Sequence, residues 1–460
     1  MRIVFITLLL LLVTAVSKAD SPRRGGVLKQ LQTRPATRLD LYNQLSTEER
    51  SIRQHQWLMD KRYFRYLSMP VRAYLLKRYA PTQLQTVPQQ LDSSPENIRV
   101  NDPALDGADR TQSGTTAVAA GDRLAISFNN SAGIVNNNVS GYAYSRDGGK
   151  SWKQGFIPTY PDGANLGSGV LAIAPDGSFL HACVAQDKNG IVSIAVSRSR
   201  DGGQSWSRPV NASLSATGQN VFHDKPWIAA DRSSDSFNSN RVFVVWTSIL
   251  QNSGKTRIQL ARSKDGREFK KAQIIAESPQ GSFVQAPTVA VGPRGEVYIV
   301  WLEGEFGRSQ LKLAKSVDGG KTFGGPTVIA GFVNPAFPAN GIFDANSFPS
   351  LAVDTSRRAS RGHVYVAYAA RPDNRADRAD VYLLRSTDGG SNWSAPRRLS
   401  DDTGIAEQML PSVAVTDDGA VGASWYDRRN DPVNLSLLDI YATVSTDGGA
   451  TFLPNRRITT

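Results

Sequence analysis

Three short stretches bring together side chains able to hold or act on a polar ligand. Trp425-Tyr426-Asp427-Arg428-Arg429 sets an aromatic platform beside an acid and two guanidinium groups. His223-Asp224-Lys225 puts an imidazole, a carboxylate and an ammonium side by side, and Glu407-Gln408 adds a further acid. Glu303 lies two residues after Trp301, and loops elsewhere carry Asp109 with Arg110, and Arg371 with Arg375 and Arg378. A positioned carboxyl group donates or takes a proton in bond cleavage. A guanidinium fork binds a carboxylate through two parallel hydrogen bonds. An aromatic ring beside both suits a polyhydroxylated ligand. Each stretch also has a plainer role: exposed Arg-Asp pairs contribute little energy, and His223-Asp224-Lys225 suits a hydrogen-bonded set that braces a loop. No His or Cys cluster has zinc spacing, the Asp-rich loops are too irregular for calcium, and nothing calls for a cofactor.

What must position these loops is a repeated unit. Ser445-Thr446-Asp447-Gly448-Gly449-Ala450-Thr451-Phe452 has close copies carrying Asp147, Asp201, Asp318 and Asp388, and a shorter one around Asp265 that lacks the second glycine. Successive aspartates lie 53 to 70 residues apart, so no unit is skipped. Asp-Gly-Gly between alternating apolar runs signals a tight hairpin, with glycine supplying positive φ and the carboxylate accepting from backbone amides. The six aspartates therefore read as structural pins, since one active site does not need six copies. Each unit runs strand, turn, strand, loop, strand, box, strand. The sequence thus predicts an all-β, six-bladed propeller over residues 97–460. Boxes and first turns share one face. The irregular loops holding the residues named above surround a mouth on the other. Bulky Trp246, Tyr368 and Trp425 end second strands and are expected to fill the space between blades.

The S-x-D-x-G-x-[ST]-[WF] pattern is the Asp-box, and in carrying it the chain resembles the sialidase superfamily. The resemblance implies a glycosidase-like propeller that binds carbohydrate. It further implies an arginine cluster for a substrate carboxylate, a tyrosine nucleophile activated by glutamate, and an acid/base aspartate. Arg371, Arg428, Tyr426, Glu303 and either Asp109 or Asp224 are residue types for those roles, with Asp427 a further catalytic candidate. Arg110, Arg429, Trp425, His223 and Lys225 are candidates to contact the sugar. Two places depart from the family. Its Arg-Ile-Pro motif is replaced by Ser113-Gly114-Thr115-Thr116, and the position of its acid/base aspartate reads Phe128-Asn129-Asn130-Ser131. An amide cannot deliver a carboxyl proton.

Residues 1–19 read as a signal peptide, with an apolar run at 3–16 followed by small residues at Ser17 and Ala19. Export to a periplasm or the exterior is expected, with membrane anchoring the alternative if the segment is retained. The single cysteine, Cys183, lies in an apolar run and reads as a packed thiol. Residues 20–96 hold 13 basic against 7 acidic side chains, a large part of the formal net charge of +12. A capping box at Ser46 to Glu49 and the spacing of Trp57, Phe64, Val71 and Tyr74 predict a basic helical hairpin, and 81–96 a linker. That hairpin suits contact with an anionic surface; nucleic acid is a poor partner for an exported chain without a nucleic-acid fold. Ile98-Arg99-Val100-Asn101-Asp102 resembles the fourth-strand run Arg397 to Asp401, so it is expected to close the ring at the last blade's edge in competition with Arg456-Arg457. Three functions remain open: glycan recognition with possible glycoside hydrolysis, a retaining exo-sialidase, and a protein-binding scaffold.

Overall fold

The computed structural model describes Val71, residues 97–105 and residues 111–459, apart from 215, 217, 219, 237–239, 306, 336–346, 373–376 and 433–436. The expected signal segment, the linker, the helices other than at Val71, and Asp109 and Arg110 lie outside the described residues. Val71 itself is helical and buried in an apolar cluster with Val139, Leu166 and Val184.

The described residues form six four-stranded sheets, each a meander of consecutive strands. Blade 1 is β1 (Gln112–Ala120), β2 (Arg123–Asn130), β3 (Ser140–Ser145) and β4 (Lys153–Phe156). Blade 2 is β5 (Ala164–Ile173), β6 (Phe179–Gln186), β7 (Val192–Ser199) and β8 (Val210–Asn211). Blade 3 is β9 (Val221–Ala230), β10 (Val242–Leu250), β11 (Thr256–Ser263) and β12 (Gln273–Glu277). Blade 4 is β13 (Phe283–Val291), β14 (Val297–Gly304), β15 (Arg308–Ser316) and β16 (Thr327–Val333). Blade 5 is β17 (Ser350–Val353), β18 (Val364–Ala370), β19 (Asp380–Ser386) and β20 (Arg397–Arg398). Blade 6 is β21 (Gln408–Val415), β22 (Val421–Asp427), β23 (Asp439–Ser445) and β24 (Arg456–Arg457). The fold is the expected all-β, six-bladed propeller.

Alternation within the middle strands gives each blade two apolar faces, and these pack face to face. Trp246, Trp301, Tyr368 and Trp425 are fully buried in the clusters between neighbouring blades. Because each blade is an antiparallel meander, the boxes and the β1–β2-type turns fall at one end. The boxes act as pins. In the fourth, Ser316 Oγ donates to Asp318 Oδ1 (2.8 Å) and accepts from Gly320 N (2.8 Å). Thr322 donates to the same carboxylate from its amide and its hydroxyl. The degenerate box keeps only part of this: Ser263 Oγ accepts from Gly266 N, and Asp265 accepts from Arg267 N.

One expectation is overturned. The outer strand of blade 6 is the C-terminal pair Arg456–Arg457, which pairs with Tyr441 and Ala442. Residues 97–102 form no strand. Asn97 instead donates through its side chain to Ile458 O, and Asp102 N donates to Gln154 Oε1 on β4. The N-terminal segment is thus a strap from the last blade to the first, because the ladder of β23 is already taken by the C-terminus.

Candidate functional site at the mouth

Five of the six innermost strands break register near the mouth, in β1, β5, β9, β13 and β21. At each break a residue adopts left-handed backbone: Gly114, Ser168, Lys225, Ala286 and Leu410, with φ between +51° and +61°. Proline follows three of these, at 226, 287 and 411. A side-chain-bearing residue in this region is strained by about 1–3 kcal/mol, so surrounding bonds must hold it. Ala286 N donates to Thr247 Oγ1 (3.1 Å) and Ser168 N to Asn129 Oδ1 (2.9 Å), each across a blade boundary. Asn129 also donates from Nδ2 to Ser113 O (2.9 Å). Its amide serves as both donor and acceptor between two bulges, which an ionised carboxylate does not do. This accounts physically for the amide where the resemblance implies an acid.

The bulges aim a buried polar arc at the mouth. On β9, Asp224 and Lys225 form a buried ion pair (3.0 Å), and the Lys225 ammonium lies 5.2 Å from the centroid of the Phe348 ring, just before β17. Blade 3 thereby reaches blade 5. At the start of β21, fully buried Glu407 accepts from Arg378 Nη1 (3.1 Å) and Arg428 Nη1 (3.5 Å), and its carbonyl takes Arg428 N (3.1 Å). Gln285, Ser347, Gln408 and Arg428 each bury a polar side-chain atom, namely Oε1, Oγ, Oε1 and Nε, without a protein partner. These sit at the mouth ends of blades 4, 5 and 6.

Beside the arc, Asp427 accepts from Trp425 Nε1 (2.9 Å) and from Arg429 through N, Nε and Nη2. Arg429 also reaches Asp401 (2.7 Å) and stacks 4.0 Å over the Tyr441 ring. Burial acts to lower the Arg429 pKa, but the bonds to Asp427 and Asp401 outweigh it and hold the guanidinium charged. Asp377, next to Arg378, shares a buried acidic group with Asp380 and Asp402 around Arg398. Burial, and then the charge of Asp380, push its carboxyl up to about 6.

The residues singled out from sequence are thus partly gathered. Asp427, Arg428 and Arg429 share one corner with Glu407. Trp425 is buried in the blade 5–6 cluster with its indole N–H committed to Asp427, so its ring offers no platform to a ligand. Tyr426 points to the opposite face of β22, half-buried across from Met409 and Ile440, with burial raising its phenol pKa. Glu303 lies on blade 4 and pairs with Lys312 (2.6 Å), so the structure does not bring it to Tyr426. Arg371 extends β18 and donates its amide to Val333 O. His223 is buried against Trp246, with Nδ1 2.9 Å from Ser248 Oγ, and burial pushes its pKa down to about 3. Held neutral, it braces the strand. Gln285, Ser347, Phe348 and Asp377 were not singled out from sequence. The signal for the first three was the prolines at 287 and 349, since Pro226 follows Asp224-Lys225 in the same way.

A BNR/Asp-box repeat family model matches residues 143–154, the first box. No curated protein matches. Among solved structures, an α-L-arabinofuranosidase of Fusarium graminearum bound to arabinobiose aligns at TM-score 0.51 and 15% identity, over 73% of this chain and 92% of that one. The Hadza microbial sialidase Hz136 aligns at TM-score 0.45 and 14% identity, over 68% of this chain. This chain spans 63% of that sialidase's length. A leech intramolecular trans-sialidase aligns at 0.48 and 11% identity, over 73% and 67%. In fold, the chain is a six-bladed propeller carrying Asp-box repeats.

Proposed function

We propose that the protein binds a neutral glycan at its mouth, in the manner of a glycosidase propeller. The observation that carries this reading is the buried polar arc. A propeller core closes with apolar residues, and burying unpartnered polar atoms costs about 1–3 kcal/mol each. Gln285, Ser347 and Gln408 hold neutral hydrogen-bonding atoms that are shut off from solvent and lack a protein partner, and a sugar that parts the loops over them would supply the missing hydroxyls. The nearby cations Lys225, Arg378, Arg428 and Arg429 already bear on carboxylates, which disfavours an acidic sugar. The test is binding to a panel of neutral and sialylated oligosaccharides, with Gln285→Met alongside. Neutral glycans are expected to bind, and the variant to lose about tenfold in affinity while melting no lower than the parent, because the orphaned carbonyl is gone. Binding restricted to sialosides would exclude a neutral ligand; no binding to any glycan would exclude the reading as a whole.

A second reading, hydrolysis of the bound glycan, is favoured by Asp377. A carboxyl with pKa about 6 keeps its proton in mildly acidic solution and would protonate a leaving oxygen, with Glu407, which accepts from Arg378 and Arg428, as the second carboxyl of the pair. Turnover of a neutral aryl glycoside that falls sharply in both Asp377→Asn and Glu407→Gln is the expected result. Tyr426, Asp427 and Asp224 are the controls, and retained activity in Asp377→Asn would remove the assignment. Export is part of the same proposal: the mature chain is expected to begin near residue 20, which N-terminal sequencing of the secreted protein tests.

A further inference from the structure

Each blade is latched to the next on the box face by two residues in fixed register. One follows the second-strand residue that pairs with the box serine, and its partner is the residue just before that serine on the third strand. These pairs are Ala125–Tyr144, Leu180–Arg198, Phe243–Arg262, Tyr298–Lys315 and Tyr365–Arg385 in blades 1 to 5. They lie under the box of the following blade so closely that a Cβ on its glycine would press against them. A Cβ on Gly320 would stand 2.9 Å from Phe243, and one on Gly449 would stand 2.8 Å from Tyr365. A Cβ on Gly203 would stand 2.8 Å from Tyr144, and ones on Gly266 and Gly390 3.1 Å from Leu180 and 3.3 Å from Tyr298. The latch also donates hydrogen bonds to the next box. Arg198 reaches Asp265 O (2.7 Å), Lys315 reaches Gly389 O (2.6 Å), and Tyr365 and Arg385 both reach Gly448 O.

In blade 6 the corresponding pair is Gly422–Val444. A Cβ on Gly422 would meet nothing within 4 Å, and Val444 is 39% exposed. On the other side of the seam, the space around Gly149 of the first box is taken by Leu124 and Trp152 of its own blade, with nothing from blade 6. Among the described residues, apolar clusters join blades 1–2, 2–3, 3–4, 4–5 and 5–6, and none joins 6 to 1. What crosses this seam is the strap, through Asn97 to Ile458 O and Asp102 N to Gln154. Ile98 within the strap and Ile458 at its Asn97 anchor are both exposed.

We infer that the junction of blades 6 and 1 is a built-in opening of the ring, closed by the strap and not by the latch. In a repeat protein, local stability is the sum of a unit's own stability and its interfaces, so blades 1 and 6 are the first to separate. The experiment is hydrogen exchange of the full chain, read peptide by peptide. Amides of β2–β3 and β22–β23 are expected to exchange about tenfold faster than those of β10–β11 and β14–β15. Gln154→Ala, which removes the strap's acceptor, is expected to speed the seam peptides further and leave blades 3 and 4 unchanged. Gly422→Tyr with Val444→Arg, which copies the blade 5 latch, is expected to slow them toward the blade 3 rate; Val444→Arg alone serves if the double variant does not fold. Equal exchange at all six blades in the parent, or seam rates unmoved by both the strap and latch variants, would overturn the inference.

Discussion

Asp377 and the box aspartates show how one side-chain type takes opposite roles in one fold. Burial and the neighbouring Asp380 hold the Asp377 carboxyl at about 6, against about 3.9 in an unfolded chain. Between those values the folded state carries the extra proton, so this group's contribution to stability falls as pH rises from 4 to 6. Asp377→Asn is therefore expected to stabilise the protein by about 2–3 kcal/mol at pH 7 and by nothing at pH 4. Thermal melts at the two values check it, and an equal effect at both would contradict it. The box aspartates run the other way. Hydrogen bonds from the Asn392 amide and side chain hold Asp388 down to about 2, and those from Ser151 hold Asp147 lower still. Their contribution is complete above pH 4 and is lost as pH falls through the folded values. Acid titration is expected to show stability rising slightly from pH 6 toward 4 and collapsing below 3.

The box was the most legible element because its function is local. Serine, aspartate and glycine satisfy one another within eight residues, so no distant partner is needed to recognise them. Asp318→Ala removes acceptors for Ser316, Lys321 and Thr322 and is expected to cost about 1–3 kcal/mol. Asp265→Ala in the degenerate box, with fewer bonds to lose, is expected to cost less; urea melts of the two variants decide it. The bulged inner strands were less legible. Their defining feature is a positive φ, and at Lys225, Ala286 and Leu410 it accompanies a break in register, with no glycine to announce it. Arg428 and Glu407 were visible as residue types, but their meeting depends on the register of β21 against β22 within blade 6, which pairs Gln408 with Asp427 across a bulge that the sequence does not announce. The terminal segments misled for a related reason. Ile98 to Asp102 has the composition of an edge strand, yet β23 offers one edge, and Arg456–Arg457 fill it.

At the scale of the whole molecule, the outer edges of blades 5 and 6 are short and cationic. Strands β20 and β24 are two residues each, Arg397–Arg398 and Arg456–Arg457, and all four arginines are exposed. Charge on an edge opposes pairing with another chain. Replacing Arg397, Arg456 and Arg457 together with threonine is expected to leave the melting temperature nearly unchanged and to raise light scattering at high protein concentration. A strong drop in melting temperature instead would mean that these side chains hold the blades.

Cys183 is fully enclosed within blade 2, and burial pushes its thiol up to about 12. A protein with one thiol, shut away and protonated, is a natural clock for its own breathing. Thiol reagent consumed by the native chain reports the rate at which blade 2 loosens, with no engineered probe and no competing thiol.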